Sequence, residues 1–316
     1  MKKIILIFLS IGYGAFETSI NLKAKCNVYK ASDRCFNISD NSDGSASITG
    51  YDVSCGSDVV IPDKVKGKTI SKIGRLAFYD KGITSISFSN YLTEIGDSAF
   101  TLNKIKSLDI PGNVKVIGMY AFRGNKINSL TLYEGTQSLF LYAFAENYLT
   151  EINIPDSVTY LGGGIFSANS VTGDKAFIYG KNNDGSFNYS ILDSYAGKDT
   201  TGTSIPSTVR KFGEETYTNV IYLKIEIPTE IKVVSSYCFD GSWANEIILH
   251  EGLEEISYQA FGYTAITSID IPSTVKVISS TAFVGSNSLK VINVNKPLNS
   301  LSGAPWGSNA IVNWNN

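Results

Sequence analysis

Residues 105–122 read IKSLDIPGNVKVIGMYAF, and the order of residue types in this stretch recurs along most of the chain. It ends on a small residue and an aromatic, Ala121 and Phe122, and Phe78, Phe100, Phe144 and Phe166 stand at steps of 22 residues on either side. The column resumes at Tyr217, Phe239, Phe261 and Phe283, and Trp306 closes it after a step of 23. The 51 residues between Phe166 and Tyr217 are one repeat of 22 plus an insertion of 29. A fixed period of this length marks a solenoid, because one such unit cannot bury its apolar residues without neighbours.

Other columns keep step. Ala77, Ala99, Ala121, Ala143, Ala260 and Ala282 precede the aromatic, and Cys238 takes the same slot as a small residue that buries easily. Five, eight and ten residues after the aromatic come aliphatics such as Ile105, Leu108 and Ile110, the last two alternating as in a strand. Pro111, Pro155, Pro206, Pro228 and Pro272 end that strand, since proline donates nothing to a ladder. A second apolar pair follows, as in Val114 with Ile117, on a short strand or a single helical turn. Gly74, Gly96, Gly118, Gly162 and Gly213, four residues before the aromatic, read as a tight outer turn. Asn103, Asn125, Asn147 and Asn169 either form a stacked amide column or simply serve as good turn residues.

Composition narrows the function classes. Of 316 residues, 27 are Lys or Arg and 29 Asp or Glu, so the formal charge of -2 offers no phosphate track and nucleic acid is not an expected partner. Lys2 and Lys3 followed by the apolar run 4–16 predict a cleaved export signal over 1–15, too short to span a membrane. Cys26 lacks the context of a lipoprotein signal. Three of the four cysteines, Cys26, Cys35 and Cys55, crowd the N-terminal end, and Cys35 with Cys55 is the preferred disulfide. Other pairings, and four free thiols, stay open.

The segments LTEIGDSAF, IKSLDIPGNVKVIGMYAF and ITSIDIPSTVKVISSTAF resemble the bacterial BspA-like (treponemal-type) leucine-rich-repeat family over about residues 59–316. The insertion FIYGKNNDGSFNYSILDSYAGK, the ending GAPWGSNAIVNW and the lead-in ITGYDVSCGSDVVIP are similar to segments of such proteins. Departures are local: Tyr133 and His250 replace the bend proline, Phe140 the turn glycine, and GGGIF lacks the alanine. The resemblance implies a right-handed, curved leucine-rich-repeat solenoid, mainly β with short helical turns, displayed outside the cell, where relatives adhere to host or neighbouring-cell components. The division expected is a signal peptide at 1–15, an N-terminal cap at 16–67, repeats at 68–166, an insertion at 167–204, and repeats with a C-terminal cap at 205–316.

Catalytic chemistry finds little support. The one histidine, His250, occupies a bend slot, which leaves no Ser-His-Asp, Cys-His or histidine metal constellation. No phosphate loop or dinucleotide fingerprint occurs, and no cofactor is expected. DNSDGSAS and NNDGSFN lack the acidic ends of calcium loops and read as tight turns between strands. Carboxylate pairs for glycoside cleavage are numerous, and nothing singles one out.

Two surfaces are candidate binding sites. Residues seven and nine after each aromatic face outward along the inner curve: Ser107, Asp109, Ser129, Thr131, Glu151, Asn153, Lys224, Glu226, Glu246, Ser268 and Asp270, a mildly acidic strip. The insertion offers Tyr179, Phe187, Tyr189 and Tyr195 as aromatic anchors. The expected function is a secreted or cell-surface binding protein for an extracellular protein or glycan. The alternative is a structural spacer in an envelope or appendage, and a hydrolase with a site in the insertion is a distant third.

Overall fold

The computed structural model describes residues 33–197, 204–221 and 224–315. The expected signal at 1–15, Cys26, the start of the expected cap and residues 198–203 of the insertion lie outside the described residues.

Most coils contribute two strands, the first carrying the first apolar pair read from the sequence and the second ending on the last residue of the second pair. The first stack includes Asp58–Val60, Ser85–Ser87, Ser107–Ile110 and Ser129–Leu132, and later Lys224–Glu226, Glu246–Ile248, Ser268–Ile271, Val291–Val294 and Ile311–Trp314. Pairing is parallel and in repeat register: Ser107 faces Ser129, and Ile110 faces Leu132. The second stack runs from Lys68–Ile73 through Glu94–Ile95, Val116–Ile117, Ser138–Leu139 and Tyr160–Leu161. The second member of the second apolar pair, such as Ile117, therefore ends a two-residue strand and no helical turn forms there. A hairpin, Phe36–Asp40 with Ala46–Tyr51, adds antiparallel pairing at the N-terminal end and joins Lys68–Ile73.

Aromatic rings fill the space between the stacks. Phe100, Phe122, Phe144 and Phe166 are fully buried, with successive centroids 5.1, 5.6 and 5.6 Å apart. Burying each ring contributes ~2–3 kcal/mol. Tyr195, expected as an anchor of the insertion, is fully buried and stacks on Tyr217 at 5.3 Å. It fills the aromatic slot of a 29-residue coil, so it belongs to the core and presents no surface to a partner.

The asparagines form the amide column. Asn125 donates from Nδ2 to the carbonyls of Phe100 (2.8 Å) and Phe122 (3.0 Å), and its Oδ1 accepts from the Ile105 amide at 3.2 Å. Asn103, Asn147 and Asn169 make the corresponding bonds, which satisfy buried groups at every turn. Towards the C-terminal end hydroxyls take over: Ser286 donates to the Phe261 carbonyl at 2.6 Å.

The glycine column has a different cause from the one expected. None of Gly74, Gly96, Gly118, Gly162 and Gly213 has positive φ. They are small because the preceding coil is close: a Cβ on Gly118 would lie 2.6 Å from Asp97 Oδ1 and 2.7 Å from its amide nitrogen. Left-handed backbone falls instead two residues before the aromatic, as at Leu76, Tyr120 and Tyr237, and two after it, as at Leu102, Glu146 and Tyr263. Alternating backbone turns successive amides along the stack. Leu76, Phe78 and Asp80 donate to Asp97, Ala99 and Thr101 one coil on. These bonds offset a left-handed cost of ~1–2 kcal/mol per residue.

The prolines mark tight bends, as in the Val114 amide donating to the Pro111 carbonyl at 2.9 Å. Where Tyr133 and His250 replace proline, the next residue braces the following coil. The Glu134 carboxylate accepts from the amides of Asp156 and Ser157, and Glu251 from those of Ser273 and Thr274. Cys35 and Cys55 form a disulfide, and Cys238 is a buried free thiol in the alanine slot.

Candidate binding site

Strand alternation turns most of the strip residues outward, while Thr131 is half-buried. Along Ser107–Ile110 and Ser268–Ile271, the serine and aspartate of each strand are exposed and the aliphatics buried. The strip divides into two chemically unlike halves. Beyond the insertion most charges are paired: Lys224 Nζ lies 3.2 Å from Glu246 Oε2, and His250 Nε2 lies 2.9 Å from Glu226 Oε1. Asn293 donates to Asp270 at 2.7 Å and accepts from Asn313 at 3.0 Å. Before the insertion, Ser107, Asp109, Ser129, Thr131, Glu151 and Asn153 have, among the described residues, no side-chain hydrogen bond or ion pair within the chain.

The unpaired half runs into a hairpin. Phe177–Lys181 and Phe187–Tyr195 pair antiparallel through a tight turn in which the Gly185 amide donates to the Asn182 carbonyl and the Asp184 carboxylate accepts from the Ser186 amide. The turn at Asn41–Ser45 is built the same way, so DNSDGSAS and NNDGSFN are strand-joining turns. In both, bonds to serine hold the aspartate carboxyl below its usual range.

Between residues 151–154 and this hairpin lies a cleft of about 370 Å3. Glu151 and Asn153 stand on one wall, and Tyr179, Phe187 and Tyr189 on the other, with Lys175 at the edge. Two surfaces that the sequence offers as rivals thus meet in one place. Tyr179 and Tyr189 contact edge to face, centroids 5.0 Å apart at 62°, and Tyr189 remains 59% exposed. Lys181 Nζ sits 3.9 Å from the Phe187 centroid and donates to the Gly185 carbonyl at 2.6 Å, which fixes the ring and the turn together. Burial lowers the pKa of this ammonium, with Asp156 and Glu134 acting in the opposite sense. Burial raises the Tyr179 phenol, aided by Asp174 and Tyr189.

Lys224, Glu226, Glu246, Ser268 and Asp270 lie on later coils, away from the cleft. The sequence reading missed Lys175 and Lys181: the hairpin breaks the repeat, so no column marks them. Among the described residues no group of three or more His, Cys, Asp or Glu is placed to hold a metal ion, and no helix is long and apolar enough to cross a membrane.

Residues 57–172 and 192–308 match the BspA type leucine rich repeat region in six copies. The chain belongs to this family. In this BspA-type chain the unmatched residues 173–191 carry most of the hairpin. The pneumococcal vaccine antigen PcpA has a similar crystal structure, with a TM-score of 0.62 and 17% identity over 84% of this chain and 80% of that one. A leucine-rich cell-surface protein from Faecalibacterium prausnitzii gives a TM-score of 0.47 and 20% identity, over 89% and 93% of the two chains. A leucine-rich-repeat protein from Eubacterium ventriosum gives 0.47 and 22%, over 84% and 71%. At such identities the likeness is one of fold. No curated protein matches the chain.

Proposed function

We propose that this BspA-type chain is an exported, surface-displayed adhesin or recognition module that binds an extracellular protein or glycan of a host or neighbouring cell, and acts by binding without catalysis. The reading is carried by the unpaired half of the strip leading into an aromatic cleft. Five exposed polar side chains and the half-buried Thr131, on successive coils, leave their hydrogen-bonding capacity for a partner, and the hairpin supplies aromatic anchors beside them. The N-terminal export pattern and membership of the family support a location outside the cell.

The test is saturable binding of the chain to a panel of extracellular-matrix proteins and bacterial surfaces. Wild type is expected to bind at least one, and Asp109→Lys with Ser129→Lys, both exposed on adjacent strands, to lose that binding while the melting temperature holds. A passive spacer would retain nothing saturably, and that outcome would sink the reading.

A further inference from the structure

We infer that the cleft between residues 151–154 and the hairpin is a glycan subsite that receives a neutral hexopyranose ring, stacked on Tyr189. This deepens the proposed recognition role and rests on it. A pyranose has an apolar C–H face and a rim of hydroxyls, and the cleft presents both complements. Tyr189 is the most exposed ring of the aromatic wall, and its contacts with Tyr179 at 5.0 Å and Phe187 at 6.2 Å hold it at a fixed angle. Lys181 clamps Phe187 from outside the cleft lining, so the platform is set before a ligand arrives.

The opposite wall supplies the hydroxyl partners. Glu151 offers two acceptor oxygens, and Asn153 an acceptor with a two-proton donor, on alternate residues of one extended segment. Neither is engaged within the chain among the described residues. The lining carries one charge of each sign, Lys175 and Glu151, which favours a neutral ring over a highly charged ligand. The volume of about 370 Å3 falls low in the ~300–1,000 Å3 range of small-molecule sites, which admits about one or two sugar rings.

The experiment is saturation-transfer NMR and calorimetry of the whole chain with lactose, maltose and chitobiose as neutral probes and a heparin disaccharide as the charged one. At least one neutral disaccharide is expected to bind with a dissociation constant of ~1 mM, saturating through its ring C–H protons, and the heparin disaccharide more weakly. Tyr189→Ala reduces that affinity more than tenfold and Asn153→Ala severalfold, Tyr189→Phe keeps it, and Tyr263→Ala, an exposed tyrosine on another coil, leaves it unchanged. Circular dichroism confirms that each variant is folded. The inference is overturned if no neutral disaccharide binds, if only the heparin disaccharide binds, or if Tyr189→Ala binds as wild type does. Saturable surface binding without any saccharide would leave the recognition role standing and remove this subsite. Saccharide binding without surface retention would do the reverse.

Discussion

The rings of Phe122 and Phe144 lie one coil apart with centroids 5.6 Å apart and planes within 1° of parallel. Each ring is thus a core contact for the coil on either side, and removing one opens a cavity shared by two interfaces. Phe122→Ala is expected to cost ~3–5 kcal/mol in a urea titration. A loss under ~1 kcal/mol would show that neighbouring coils close over the gap and that the column is not the main core.

Asn125 carries a different kind of stability. Asn125→Ala strands the buried amide of Ile105 and leaves the carbonyls of Phe100 and Phe122 with one donor each, Asn103 and Asn147. The expected cost is ~1–3 kcal/mol. Asn125→Asp is expected to be worse at neutral pH, because a carboxylate would face two carbonyl oxygens. Equal melting temperatures for wild type and both variants would mean that water replaces the amide.

Gly118→Ala separates the two explanations for the glycine column. Its φ is ordinary, so an alanine meets no backbone strain, but the Cβ would press on Asp97. A loss of ~1–3 kcal/mol is expected from that overlap. A neutral substitution would return the column to a turn preference.

Glu215 makes stability depend on pH. Its carboxyl is held at the outer turns, accepts from the Tyr142 phenol, and has one buried oxygen, Oε2, without a hydrogen-bond partner. Burial, partly offset by Tyr142 and reinforced by Glu214 and Asp240, raises its pKa from 4.5 to about 7. The folded chain therefore holds this proton more tightly than the unfolded chain does. Its stabilising effect is full below 4.5 and is lost as pH rises through about 7. Burial raises Asp193 and Asp240 to about 6, with the same sign. Glu215→Gln is expected to shrink the fall in melting temperature between about pH 5 and pH 8. An identical fall in the variant would place the pH dependence elsewhere.

The coil architecture was legible because burial imposes the period: Phe100, Ala99, Leu108, Ile110 and Pro111 each have one environment, repeated. The outward positions of Ser107 and Asp109 followed from alternation alone. No sequence column reports proximity across coils of unequal length, so the shared cleft lined by Asn153 and Tyr189 was not readable. Nor was the role of Tyr195, which looks like any other aromatic of the insertion until Tyr217 is seen stacked upon it. The glycines misled for a related reason: a small residue reports either an unusual φ or a close neighbour, and only the coordinates of Asp97 distinguish them.

Tyr195 also shows how this scaffold gains new surface. The lengthened coil supplies a ring to the shared interior and returns the chain in phase, so flanking coils meet the same inner landscape whatever is carried outside. Novelty then costs little in foldability: a segment that places an aromatic at its final turn can be spliced into the stack, and its length and chemistry elsewhere are free to diverge.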